Sequence, residues 1–301
     1  MKFKEINIDA KQVLDKYFEM VDYEACEYCF NTLFMWQHSY KTCYYIGDGF
    51  AVLIGEHNGE VFSILPLAPK DKIPEAVEFA INWFDTDNHK IYFRGIDKDV
   101  VEMLKEIYPG KFEYTAERDI FDYVYDAEKL RTVKGRKLSG KRNHLNYFNR
   151  EYGGRVERRL LDKNDFPECL EIMKKWSKLK NGDEEFEESK DEEFIGVKKL
   201  LDNYDKISDK LKVYGVFVDG NLEAFSMGEK INGNMALIHI EKANSNIRGL
   251  YPYINKMFLV DVFPDVKWVN REEDMGIEGL RIAKESYYPE RFVEKYTVRE
   301  V

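Results

Sequence analysis

Three stretches of this chain gather side chains able to hold an anion or move a proton. The first is Asn270-Arg271-Glu272-Glu273-Asp274-Met275-Gly276-Ile277-Glu278-Gly279-Leu280, continuing to Tyr287-Tyr288-Pro289. Charged residues directly after a short strand lie at the open end of a sheet, where ligands bind. Asn270 can hold a ligand amide, and Tyr287 or Tyr288 can give a proton to a leaving thiolate or hydroxyl. Asn270, Glu272, Tyr287 and Tyr288 are therefore the candidate catalytic residues, with Arg271 as a substrate-binding cation. The competing reading is a salt-bridged helix start capped by Asp274, with packed tyrosines before Pro289.

The second stretch runs Glu241-Lys242-Ala243-Asn244-Ser245-Asn246-Ile247-Arg248-Gly249-Leu250-Tyr251. It follows a strand and precedes an amphipathic helix with Leu250, Ile254, Met257 and Phe258 on one face. A helix mouth offers free N–H donors and a positive dipole end, so a diphosphate can sit there. Lys242, Ile247, Arg248, Gly249 and Leu250 are the candidate cofactor-binding residues. An ordinary strand–helix loop that needs small residues is the alternative. The third stretch, Lys134–His144, has five Lys or Arg and no Asp or Glu. Cations at a loop-to-helix junction can meet a phosphate. Lys137, Lys141, Arg142, Asn143 and His144 are the candidates there, against a plain exposed basic helix. His239 alternates with Leu237 and Glu241 along a strand, so His239 and Glu241 can line a site; a structural histidine is the bland reading. No Ser-His-Asp arrangement, H-x-x-x-H or metal-ligand spacing is visible, so no metal is expected. Cys26 and Cys29 form a C-x-x-C without a second pair, and read as buried thiols.

The elements that position these residues come in one order, twice. In the first half a meander of Cys43–Ile46, Phe50–Ile54 and Val61–Pro66 is followed by a helix near Pro74–Phe84, a strand at Ile91–Phe93, a helix near Lys98–Tyr108 and a strand at Phe121–Tyr125. In the second half the meander is Val213–Val218, Leu222–Ile231 and Met235–Glu241. A helix near Gly249–Phe263, a strand at Lys267–Asn270, a helix near Ile277–Glu285 and a strand at Phe292–Val298 follow. Asp48-Gly49 and Asn58-Gly59 mark hairpins in one half, Asp219-Gly220 and Asn232-Gly233 in the other. Asp9 with Gln12 resembles a capping box opening a helix, and Ser139 is placed to cap a helix over Leu138–Tyr152. Asp165 with Glu168 opens another, and the acidic Asn181–Glu193 segment reads as a solvated loop. The expected fold is α/β with mixed sheets in two similar domains, 1–135 and 136–301, the second carrying the site.

The chain has 301 residues, 44% hydrophobic and 15% aromatic, and so can bury two cores. Its net charge of −10 argues against a general nucleic-acid coat protein. No apolar run approaches the roughly 18 residues of a membrane span. Met1-Lys2-Phe3-Lys4-Glu5-Ile6 lacks the apolar core of a signal peptide, so a soluble cytoplasmic protein is expected.

Leu138-Ser139-Gly140-Lys141-Arg142-Asn143-His144, paired with Asn270–Leu280 and the tail Tyr287-Tyr288-Pro289-Glu290-Arg291-Phe292-Val293-Glu294-Lys295-Tyr296, resembles a bacterial family grouped with the C-terminal domain of phosphatidylglycerol lysyltransferases. The resemblance covers nearly the whole chain. It implies a tandem GNAT-like acyltransferase fold and kinship with aminoacyl-tRNA-dependent transferases of lipids and peptidoglycan bridges. The large membrane domain of the full lysyltransferases has no counterpart in this sequence. The function expected is transfer of an acyl or aminoacyl group to an amine or hydroxyl. No cofactor is held tightly; acyl-CoA or aminoacyl-tRNA is the donor, and the acceptor is a small molecule, lipid headgroup or peptide. The first domain would be a degenerate copy. The alternative is a non-catalytic GNAT-like module that binds a nucleotide-bearing metabolite or a protein partner.

Overall fold

The computed structural model describes residues 2–181 and 186–301. Strands are β1 Lys4–Glu5, β2 Cys43–Ile46, β3 Ala51–His57, β4 Glu60–Ser63, β5 Tyr92–Ile96, β6 Phe112–Ala116 and β7 Asp122–Asp126, then β8 Val156–Leu160, β9 Lys212–Val218, β10 Asn221–Asn232, β11 Met235–Ala243, β12 Trp268–Asn270, β13 Arg291–Val293 and β14 Tyr296–Glu300. They form two seven-stranded mixed sheets. One has the order β1-β2-β3-β4-β5-β14-β6, the other β13-β7-β12-β11-β10-β9-β8. Each contains an antiparallel meander followed by a parallel step, β4 to β5 in one and β11 to β12 in the other. The order of periods in the sequence foretold this repetition.

Local chemistry explains the shared elements. Asn58-Gly59 and Asp219-Gly220 both hold two successive positive φ angles, which a two-residue hairpin between right-twisted strands requires. Between the two strands of each parallel step a helix crosses over and packs on the sheet. Ile73–Thr86 buries Ala76, Val77, Ala80, Ile81 and Phe84, and Leu250–Asp261 buries Leu250, Ile254, Met257 and Phe258, in both cases on one 3.6-period face.

The chain divides into two compact units. The first holds Met1–Asp122, Glu273–Glu278 and Phe292–Val301; the second holds Tyr123–Glu272 and Gly279–Arg291. A single cut at 135/136 does not describe this division. The strand expected at Phe121–Tyr125 belongs to the sheet of the later meander. The strand expected at Phe292–Val298 is two strands, of which β14 returns to the first sheet. There it lies antiparallel between β5 and β6.

Three local expectations are corrected. Asn7, not Asp9, caps the first turn, accepting from the N–H groups of Asp9 and Ala10. Ser139 makes no capping bond, because it is already the first residue of the helix Ser139–Tyr152. The segment 181–193 includes residues outside those described (182–185), and a helix begins at Glu192 within it.

Within the first unit, Lys295 organises a buried polar network. Its ammonium lies 2.7 Å from Glu27, 2.8 Å from Asp122 and 3.2 Å from Glu273. Asp122 also accepts the Cys26 N–H at 2.7 Å, and the Cys26 Sγ lies 3.4 Å from the ammonium. Burial, then the neighbouring carboxylates, push the Cys26 thiol well up, so it stays protonated. Ligand atoms of Cys26, Glu27 and Glu273 lie within 4.8 Å of one another, a grouping of metal-binding type that sequence spacing did not show. The lysine ammonium supplies the positive charge there.

Candidate functional site

The second unit gathers its chemistry where two parallel strands part. β11 and β12 pair only from Met235↔Trp268 to Leu237↔Asn270, and β11 then runs on to Ala243 without that neighbour. Glu241 sits on the extended part of β11, and Arg271 directly follows the end of β12. The Arg271 Nη2 lies 3.2 Å from Glu241 Oε1. Glu241 Oε2 accepts from Asn255 of the Leu250–Asp261 helix at 3.0 Å. The Arg271 guanidinium lies 4.9 Å from the Tyr287 ring centre and 5.7 Å from that of Tyr125. The Lys141 ammonium lies 4.1 Å from the centre of the same Tyr287 ring.

The backbone of this site is locked. Tyr125 donates to the carbonyl of Lys284 at 2.9 Å, and the Lys284 ammonium donates to the carbonyl of Arg271 at 2.5 Å. The Arg271 side chain is 14% exposed, and its Nη1 is buried without a hydrogen-bond partner among the described residues. A buried donor left unmade costs about 1–3 kcal/mol, so such a group marks either strain or a missing acceptor.

Electrostatics follows from burial and proximity. Burial works against the Arg271 charge, but Glu241 outweighs it and the guanidinium is held charged. Burial, then the Arg271 charge, pull Lys141 below the usual lysine range, with Glu241 opposing. Burial pushes the Tyr287 phenol up against the pull of Arg271. Tyr287 therefore holds its proton and can donate a hydrogen bond, but it is a reluctant acid.

The other expected residues have different settings. Lys242 is spoken for: its ammonium lies 2.6 Å from Glu193 and 3.5 Å over the Trp176 ring. Ile247 is half-buried in the loop, its N–H bonded to Asn244, and its carbonyl accepts the N–H of buried Leu250. Arg248 is exposed and stacks 4.6 Å over Tyr147. Gly249 has φ +90, and a Cβ there would lie 2.3 Å from the His144 carbonyl oxygen. The glycine thus admits the Ser139–Tyr152 helix, and any side chain at this position meets that helix's backbone. Gly249→Ala is expected to lower the unfolding free energy by about 2 kcal/mol or more, from left-handed backbone plus a backbone clash. Chemical denaturation measures it; a change under about 0.5 kcal/mol would contradict this account of the contact.

Arg142 donates to the carbonyls of Val133 and Gly135, at 2.8 and 3.0 Å, and so fastens the preceding loop. Asn143 and His144 are exposed. Lys137 is exposed and lies 5.3 Å over the ring of Tyr288, itself exposed with φ 56. Asn270 is buried and accepts the N–H of Glu272 at 2.7 Å, shaping the turn after β12. Glu272 and Glu229 clasp His239, each at 3.0 Å, with the His239 side chain 1% exposed. Burial alone would depress His239, but the two carboxylates outweigh it and push it up to about 9.

The geometry therefore assembles Lys141, Glu241, Arg271 and Tyr287. It sets Asn270, Glu272 and His239 in structural bonds and leaves Lys137, Asn143, His144 and Tyr288 on the surface. Asn255 and Tyr125 escaped the sequence reading. The signal for Asn255 was present: a lone amide inside the apolar run of the Leu250–Asp261 helix.

Comparison with known proteins matches this arrangement to one lineage. The family described as phosphatidylglycerol lysyltransferase, C-terminal, matches residues 18–299. An uncharacterized protein of Mycoplasmoides gallisepticum is 24% identical over 178 residues, 59% of this chain and 56% of that protein. The match thus spans little more than half the length of that relative. Among solved structures, a conserved protein of unknown function from Bacteroides thetaiotaomicron VPI-5482 is 29% identical, with a TM-score of 0.91 and full coverage of both chains. L-PGS from Bacillus licheniformis is 13% identical, with a TM-score of 0.68 over 98% of this chain and 92% of that one. A tandem GNAT protein of the clavulanic acid biosynthesis pathway is 8% identical, with a TM-score of 0.51 over 99% and 98%. These last two likenesses concern the fold, which is a tandem GNAT-like one. No helix among the described residues is long and apolar enough to cross a membrane. With its fold and nearly its whole length matched, the chain belongs to the phosphatidylglycerol lysyltransferase C-terminal family.

Proposed function

We propose that the second unit transfers an acyl or aminoacyl group at the Glu241–Arg271 pair. The observation that carries this reading is the Arg271 Nη1: a buried, charged donor without an acceptor among the described residues, beside a fixed carboxylate. When an amine or hydroxyl attacks a carbonyl, negative charge grows on the carbonyl oxygen. A donor already in place, in a site that excludes water, stabilises that charge without reorganising. The attacking atom bonds to the carbonyl carbon and loses a proton, and the bond to the donor's oxygen or sulfur breaks with that atom reprotonated. Glu241, and Lys141 with its depressed pKa, are the groups placed to take the proton. Tyr287 offers a hydrogen bond to the leaving atom. No covalent enzyme intermediate is needed. The donor is an aminoacyl-tRNA or an acyl-CoA, and the acceptor an amine or hydroxyl of a small molecule, lipid headgroup or peptide.

The test follows decay of labelled aminoacyl-tRNA and of acetyl-CoA with amine and hydroxyl acceptors, for wild type and Arg271→Gln. Loss of one oxyanion donor is expected to slow transfer about 10²–10³-fold. Equal rates in the two proteins, with folding intact by circular dichroism, would remove Arg271 from the reaction. Affinity that falls steeply with salt selects the tRNA donor, and a shallow dependence selects CoA. A second reading, a non-catalytic module for a nucleotide-bearing metabolite or a protein partner, draws support from the structural commitment of Asn270 and Glu272. Absence of transfer from either donor would select it.

A further inference from the structure

On another part of the second unit, the helices Ser139–Tyr152 and Leu250–Asp261 enclose a cleft of about 270 Å3 with the start of the loop after Thr132 and the edge strand β8. Its polar lining includes Arg142, Asn146, Asn149, Arg158, Tyr253 and Lys256, with no carboxylate among the lining residues. Three cations around one concavity, in a chain of net charge −10, form a local inversion of charge. One carboxylate answers them from outside: Asp261 accepts the Arg158 Nε at 2.7 Å. The cleft stays net positive.

Its polar groups fall into two sets. Arg142 and Arg158 are held in place, Arg142 by the carbonyls of Val133 and Gly135, Arg158 by Asp261 and by the Tyr253 hydroxyl at 3.1 Å. Each keeps its Nη2 group uncommitted among the described residues. The Lys256 ammonium and the side-chain amides of Asn146 and Asn149 make no hydrogen bond or ion pair among the described residues. Anchored guanidinium groups with spare donors, plus a free ammonium, make a preorganised anion cradle. The two amides add donors and acceptors for the rest of a ligand.

We propose that this cleft binds the phosphate group of a small phosphate ester. The site is distinct from the Glu241–Arg271 pair, and adjacent residues of one helix serve the two: Lys141 stacks on Tyr287, while Arg142 lines the cleft. The proposal stands whether or not the transfer reading holds.

The experiment is calorimetric titration of the full chain with inorganic phosphate, pyrophosphate and a nucleoside diphosphate. Lys256 is half-buried and unpaired, so its replacement leaves the fold intact. Wild type is expected to bind pyrophosphate below millimolar concentration, Lys256→Ala at least tenfold more weakly, and Lys256→Glu not detectably. Lys141→Ala, in the other site, should bind as wild type does. Tighter binding of the nucleoside diphosphate than of pyrophosphate, lost in Asn146→Ala/Asn149→Ala, extends the cradle to the two amides. Absence of binding by all three probes at 10 mM overturns the proposal, as does equal affinity in wild type and Lys256→Glu.

Discussion

Replacing Lys295 by methionine lowers the unfolding free energy by about 3–5 kcal/mol, the range for removing one partner from a buried ion pair. The reason lies in what stays behind. Lys295 is 1% exposed and Asp122 0%, with Glu27 and Glu273 only 23% and 20% exposed. Without the ammonium, three carboxylates face one another with little water between them. Methionine matches the length of the lysine stem, so the loss is of charge rather than of packing. Urea denaturation at neutral pH measures the effect. Acid should narrow the gap between variant and wild type, because protonation relieves the repulsion in the variant only. A difference below about 1 kcal/mol would mean that the carboxylates are already neutral or solvated.

The second large effect concerns His239. Its folded pKa of about 9 lies above the ordinary value near 6.5, so the folded state binds the extra proton more tightly. The sign follows from linkage. The stabilisation is complete below about pH 6.5 and is lost as pH rises through about 9, a change of about 3 kcal/mol for a shift of this size. The unfolding free energy should therefore fall across that window. His239→Leu should remove this slope and cost about 3–5 kcal/mol at pH 6, since Glu229 (2% exposed) and Glu272 (19%) then lose the imidazolium between them. Denaturation curves at several pH values test both. A wild-type stability that stays flat from pH 6 to 9.5 would show that His239 is neutral in the fold.

Much of the architecture was readable because it is local. A two-residue turn such as Asn58-Gly59 declares itself through the positive φ it needs, and the helix at Ile73–Thr86 through its period. The destination of β7 and β14 was not readable, since a strand shows the same alternation whichever sheet it joins. The short strands β6 and β8 were missed because their faces are mostly half-exposed or exposed. At the site, Glu241 was legible as a charge near the end of a strand and Arg271 as one directly after a strand. Their pairing was not, because it depends on β11 outrunning β12. Gly249 shows the opposite error: a glycine at a helix mouth suggested a ligand, and the close neighbour is a backbone carbonyl. The Lys295 network draws on residues from Cys26 to Lys295, too far apart in sequence for any spacing rule.

The position of β14 has a consequence for how the protein is made. β5 and β6 leave the ribosome long before the strand that must lie between them, so the first sheet emerges with its edge strand β6 still separated from the other five. Two strand edges with unpaired N–H and C=O groups stay open while the whole second unit is synthesised. Folding of the nascent chain cannot proceed strictly from the first unit to the second. The earlier unit waits for the later one to finish, and the same late segment brings Lys295, so strand closure and neutralisation of the three carboxylates occur in one step.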